Sequence, residues 1–182
     1  MPAPASFLYL DTLHCLQQRD LPFDADSPYL LVFAGQPGPQ PEADVIRVTS
    51  PDWHQRTRSG RLHLARTWVH HDLRADSILL VALLEQDWQL DIHDAALREL
   101  RATMRQHWAS CARRFAPASL PLAARLGFAR QISRHLRNDA LIQIRHLPVA
   151  TLHGRLPALA FSGSKVRYRA GFHARRVSPG AA

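Results

Sequence analysis

Residues 77–115 read SILLVALLEQDWQLDIHDAALRELRATMRQHWASCARRF, and the change of period inside this stretch decides the fold. Ile78–Leu84 is an unbroken apolar run, the pattern of a strand buried on both faces. From Asp94 onward the apolar residues are Leu97, Leu100, Met104, Trp108, Cys111 and Phe115. Their spacings of 3, 4, 4, 3 and 4 mark one face of a helix. Asp91 or Asp94 is available as its N-cap. Arg98, Arg101, Arg105, Arg113 and Arg114 lie off the stripe, and Pro117 ends the helix.

Working outward, the C-terminal side predicts a second helix from about Pro121 to Arg137. Leu122, Leu126, Ala129, Ile132 and Leu136 are its expected inward residues, and Arg125, Arg130, Arg134 and Arg137 its outward ones. Asn138-Asp139 reads as a turn and Leu141–His146 as a short strand. A hairpin closes the chain: Leu159–Phe161, a Ser162-Gly163-Ser164 turn, then Lys165–His173. Its last strand puts Val166, Tyr168, Ala170 and Phe172 on one face, and Lys165, Arg167, Arg169 and His173 on the other.

The N-terminal side is strand-rich. Residues 6–17 alternate, with Phe7, Tyr9 and Asp11 facing one way and Leu8, Leu10 and Thr12 the other. Ser27–Phe33, Asp44–Thr49 and Leu62–His70 are further strands, and the breaker-dense Gly35–Pro41 is a loop. The chain therefore reads as one α+β domain over 1–182: an antiparallel β-sandwich with a two-helix Arg-rich insertion before the closing β-hairpin. A strand-rich acidic part (6–93) precedes a basic helical insertion (94–137) and closing strands (141–173). The tail 178–182 is expected to be disordered.

Charge follows this division. Through Leu97 there are 7 arginines against 13 carboxylates, a net of −6; from Arg98 on, 15 arginines and Lys165 face only Glu99 and Asp139, a net of +14. A surface with that excess calls for an anionic partner or for the acidic half of its own chain. Guanidinium pairs bidentately with carboxylate and phosphate, so the composition names a partner class and no single ligand.

Several functional classes lack their signatures. Cys15 and Cys111 sit on apolar stripes and read as buried thiols, with neither a disulfide framework nor zinc spacing. His70-His71 puts neighbouring imidazoles on opposite faces of a strand, and no H-E-x-x-H occurs. His107, His135 and His146 are expected on the polar surface. Neither a Gly-x-Ser-x-Gly elbow nor a phosphate-cradling glycine loop is present, and no window is apolar enough to span a membrane. Met1–Ala5 lacks a basic region and a long apolar stretch, which makes a cytoplasmic location the expectation.

Two acidic clusters flank the strands. Asp20, Asp24 and Asp26 precede Pro28-Tyr29-Leu30, and Glu85, Asp87, Asp91 and Asp94 follow the Ile78–Leu84 strand. A strand, an acidic loop with a Pro-Tyr strand start, and an apolar strand running into Glu85-x-Asp87-Trp88 and Asp91 resemble the calcium/lipid-binding β-sandwich domains first described in protein kinase C. The closing hairpin looks like the final strands of bacterial relatives of that sandwich. The resemblance covers residues 6–94 and 157–173. It implies calcium held by carboxylates from two loops (here Asp24, Asp26, Glu85, Asp87 and Asp91) and bridged to phospholipid. The chain departs from the pattern where Ser27 separates Asp26 from Pro28 and where Glu85 replaces the usual Asp.

The reading from charge is a non-catalytic binding module, an adaptor or toxin-immunity type of protein. It would engage an acidic protein through Arg101, Arg105, Arg134, Arg137, Arg167 and Arg169, with no required cofactor. The alternatives are an anionic phospholipid surface, with or without calcium, and nucleic acid, bound or cleaved.

Overall fold

The computed structural model describes residues 6–18, 27–50, 53, 58–70, 72–86, 94–136, 139–149 and 153–176. The tail 178–182 lies outside them. The strands are β1 (Ser6–Gln17), β2 (Pro28–Gln36), β3 (Glu42–Val48), β4 (Leu62–His70), β5 (Ile78–Glu85), β6 (Ala140–Leu147), β7 (Gly154–Arg155), β8 (Leu159–Ser162) and β9 (Arg167–Arg176). The helices α1 (Asp94–Arg114) and α2 (Leu120–His135) lie between β5 and β6, joined by a 3-10 turn at Pro117–Ser119.

All pairings are antiparallel. The first sheet has the order β4-β1-β9-β7, with β8 also paired to β9; the second is β3-β2-β5-β6. The expected sandwich forms, and the helices add a third layer to it. Alternate residues of β2 and β5 serve two separate cores. Leu30, Val32, Leu79, Val81 and Leu83 meet Leu8, Leu10, Leu13, Tyr168 and Phe172 between the sheets. Leu31, Phe33, Leu80 and Leu84 meet Leu100, Met104, Trp108 and Phe128 from the helices. The all-apolar run of β5 is the sequence consequence of that two-sided burial. At one edge the sheets are tied together by side chains of β6. Ser162 N–H donates to Gln143 Oε1 at 2.9 Å, and Arg145 Nε donates to the Ala160 carbonyl at 3.0 Å.

Helix α1 follows the predicted stripe from Leu97 to Cys111, with Trp108 wholly buried; Phe115, the stripe's last member, lies beyond the helix end and is exposed. Trp108 packs edge-on against Phe33 and donates from Nε1 to the Gln36 carbonyl at 3.1 Å. Gly35 makes room: a Cβ there would lie 2.9 Å from both Phe33 and Trp108.

Helix α2 is rotated from the expected face. Leu120, Ala124, Phe128 and Ile132 are buried, whereas Leu122 and Leu126 are exposed. Two contacts set the rotation. Phe128 packs on Phe33, and Gly127 lies against His107 of α1, where a Cβ would fall 1.8 Å from Nε2. His107 thus fills the helix–helix seam instead of lying on the polar surface, as does His135, only 10% exposed and paired with Glu99 at 3.3 Å. Strand β1 also departs from simple alternation. A bulge between Leu10 and Thr12 shifts both of its ladders, so Leu13 and Cys15 continue the buried face and Thr12 turns outward. Both cysteines are buried, and burial raises the Cys111 thiol above its ordinary value.

Gly127→Ala is expected to cost about 1–3 kcal/mol, because the added methyl must displace a packed imidazole. Chemical denaturation measures this loss, and adding His107→Ala should recover part of it by opening the seam.

Candidate functional site

No described element covers the outer face of the first sheet, and the register fixes which side chains lie there. Tyr9 sits between Trp68 of β4 and His173 of β9; Thr12 lies between Leu64 and Gly171, and His14 between Leu62 and Arg169. Phe7 is opposite Arg175, Gln17 is opposite Arg167, and Arg155 of β7 is opposite His173. The face is graded across its width. On β4, Leu62, Leu64 and Trp68 are 53%, 74% and 43% exposed, and Leu16 at the end of β1 adds to them. On β9 and β7 lie the exposed Arg167, Arg169, Arg175 and Arg155.

Between these edges, the β1 bulge turns Asp11 toward His173, whose Nδ1 lies 2.6 Å from Asp11 Oδ1. The Tyr9 ring stacks on the imidazole, with centroids 5.0 Å apart and planes within 11°. The one acidic residue at the middle of the face is therefore held by a neighbour, and the arginine edge is left positive.

The expected site residues fall in different layers. Arg167 and Arg169 lie on this open sheet face. Arg101 and Arg105 instead bind helix α1 to strand β3: Arg101 Nε donates to the Val45 carbonyl at 2.7 Å, and Arg105 Nε to the Ala43 carbonyl at 3.1 Å. Asp44 Oδ1 sits between the two guanidinium groups, 3.8 and 3.3 Å away. Arg134 is exposed in the last turn of α2, and Arg137 lies outside the described residues. The second sheet separates the helical arginines from those of β9, so the set does not form one patch.

Of the acidic residues implied by the resemblance, Asp24, Asp26, Asp87 and Asp91 lie outside the described residues. Glu85 ends β5 opposite Pro28, and Gln86 N–H donates to the Ser27 carbonyl at 3.0 Å. Ser27 and Gln86, which border the two acidic stretches in the sequence, are thus adjacent. Tyr29 hydrogen-bonds Asp139 at 2.6 Å at this end, with the Arg47 guanidinium over its ring, and burial followed by Asp139 pushes its phenol up. Among the described residues no three His, Cys, Asp or Glu are grouped to hold a metal.

An open cleft of ≈ 360 Å³ lies where α2 begins. Ile78, Pro117, Leu120, Pro121 and Val149 line it, with His146 and Asp76 in its walls. Partial burial, then Arg125, holds the His146 imidazole below its ordinary value.

Sequence reading identified the outward face of β9 but not the Asp11–His173 pair. The partners are 162 residues apart, and only the β1–β9 register brings them together.

No protein-family model matches the chain, and no curated protein matches it. Among solved structures, a C2 domain (domain A) of plant extended synaptotagmin 1 is similar at a TM-score of 0.42 and 7% identity, over 98% of each chain. Human GIVD cytosolic phospholipase A2, solved with methyl gamma-linolenyl fluorophosphonate and terbium chloride, is similar at a TM-score of 0.36 and 11% identity. That match covers 96% of this chain and 18% of the phospholipase. Both likenesses are too distant to bear on function, so the chemistry of the face rests on its own residues.

Two outcomes follow. Arg101→Ala should lower stability by about 1 kcal/mol through the lost hydrogen bond to β3, measured by denaturation. The lowered value for His146 means that the unfolded chain takes up the proton more readily than the folded one. Stability is then fullest above about pH 6.5 and falls as the solution is acidified through that value. Thermal melts across pH 5–8 should show the fall, and His146→Gln should remove its contribution.

Proposed function

We propose that this protein is a binding module that docks on anionic phospholipid surfaces through the open face of its first sheet. The observation that carries this reading is the pairing of exposed Leu62, Leu64 and Trp68 with Arg155, Arg167, Arg169 and Arg175 on one face. Apolar and indole side chains gain by entering the headgroup boundary, while arginines beside them meet lipid phosphates and anionic headgroups. A purely polar partner would leave the exposed leucines without a role, and nucleic acid would engage the arginines and the indole but not Leu62 and Leu64. No helix among the described residues is long and apolar enough to cross a membrane, and docking of this kind needs none.

Calcium bridging is a second reading, favoured by the Ser27–Gln86 hydrogen bond, which joins the residues that border the two acidic stretches in the sequence. Several converging carboxylates are what that ion requires. The two readings separate experimentally, because docking by the sheet face needs no metal.

Vesicle sedimentation checks both. Binding to phosphatidylcholine vesicles containing phosphatidylserine should persist in EDTA, weaken with salt, and vanish without phosphatidylserine. Each of Arg167→Ala and Arg169→Ala should weaken partitioning about fivefold, corresponding to about 1 kcal/mol per basic residue near the surface. Arg105→Ala, on the opposite layer, should leave it unchanged. Binding that requires calcium would favour the acidic loops, and equal binding to uncharged vesicles would refute the sheet-face model.

A further inference from the structure

The rotation of α2 leaves a surface that lipid docking on the first sheet does not use. Leu122 and Leu126, one helical turn apart, are 54% and 61% exposed. Arg125 and Arg130 flank them on the same exposed side of the helix, and exposed Phe115 lies just before the turn that leads into α2. The open cleft of ≈ 360 Å³ lies at the start of the same helix, with Pro121, the neighbour of Leu122 in the chain, in its lining beside Ile78, Leu120 and Val149. Arg125 acts on His146 in the cleft wall, so positive charge stands at the rim of an apolar hollow. No acidic residue occurs between Glu99 and Asp139, so α2 carries no carboxylate of its own to offset Arg125 and Arg130. Two arginines of the helical layer, Arg101 and Arg105, are taken by Asp44, and they lie on α1 away from this ridge.

We propose that the Leu122–Leu126 ridge and the adjoining cleft form a docking surface for an acidic amphipathic segment of another protein. The occupant follows from charge and shape together. An apolar side chain seats in the proline-walled cleft, and a second lies along Leu122 and Leu126. Carboxylates on either side meet Arg125 and Arg130. Asp76, the carboxylate lining the cleft, gives the segment a direction: its acidic residues lie toward Arg125 and away from Asp76. A phosphate backbone would satisfy the arginines but offer nothing to the exposed leucines, so protein is favoured over nucleic acid. This surface is on the helical layer and the lipid-docking face on the first sheet. One molecule can therefore hold both partners, and the proposal stands apart from the lipid reading.

The test is a random peptide library displayed on phage and panned against the immobilised full-length chain. Enriched peptides should be net acidic with apolar residues spaced to meet the ridge. Fluorescence anisotropy with the commonest of them should show affinity falling with salt. Leu122→Glu/Leu126→Glu should reduce affinity by about tenfold or more, the range of a lost apolar anchor. Both residues are exposed, so the variant should keep its thermal melt, and Arg125→Glu gives a second reading of the same site. Arg167→Ala/Arg169→Ala should bind the peptide as the parent does, even if lipid docking proves wrong. Three outcomes overturn the proposal. One is no enrichment, or enrichment of neutral or basic peptides. Another is unchanged affinity in the Leu122→Glu/Leu126→Glu variant. The last is a concentration-dependent dimer in sedimentation that this variant abolishes, which would make the occupant a second copy.

Discussion

Strands β2 and β5 are apolar on both faces, and the other layers are placed by that fact. One set of their side chains packs against β1 and β9, and the alternate set packs against α1 and α2. Each leucine or phenylalanine so buried contributes roughly 1.5–3 kcal/mol, which would be forfeited on one side if either neighbouring layer were absent. The helical segment is therefore a wall of the second core, although in chain order it looks like an insertion between two strands.

Two-sided burial also weakens the usual control of register. On a strand with one apolar face, a slip of one residue exposes the core set, and that penalty fixes the pairing. In β2 a slip would exchange one apolar set for another, so shape has to decide. Gly35 leaves room for the Trp108 indole against Phe33, and the Gln36 carbonyl receives its N–H. Outside these layers the molecule is asymmetric. The second sheet is covered on both sides, whereas the first has one face under no described element. Exposed apolar residues consequently collect in two places, on β4 and on α2, each beside arginines and separated by the full thickness of the sandwich.

The charge division of the sequence takes on structure in this frame. The basic half is not one surface. Arg101 and Arg105 are drawn to Asp44, a carboxylate of the acidic half, and hold the first helix to an edge strand. Arg145 reaches the Ala160 carbonyl across the sheets. What remains is spread over the outer face of β9 and β7, the exposed side of α2 and other positions of α1, so a single anion-binding patch drawn from all the arginines would mix structural and exposed groups. The elements were legible because period 2 and period 3.6 are local signals: β1, β4, β5 and α1 fall within a residue or two of the pattern. The phase of β1 after Asp11 was not legible, because a bulge inverts alternation without any change of composition. The rotation of α2 was hidden for a related reason. Its sequence offers two apolar stripes, and the choice between them is made by Phe128 against Phe33 and by the space at Gly127 for His107, both of which are tertiary contacts. Neither the short strand β7 nor the Asp11–His173 pair has any local signal. The acidic positions Asp24, Asp26, Asp87 and Asp91 belong to sequence stretches bordered by Ser27 and Gln86, which are adjacent.

The central claim is that the helical layer is part of one cooperative core. Native-state hydrogen exchange, followed residue by residue across increasing denaturant, tests it most directly. The slowest amides around Trp108 in α1 and Phe128 in α2 should open with the same free energy as those of β2 and β5, and all four should merge with global unfolding. If the helices instead exchange at a markedly lower free energy while β2 and β5 stay protected, they are an appended layer, and the two-sided burial does not hold the fold together.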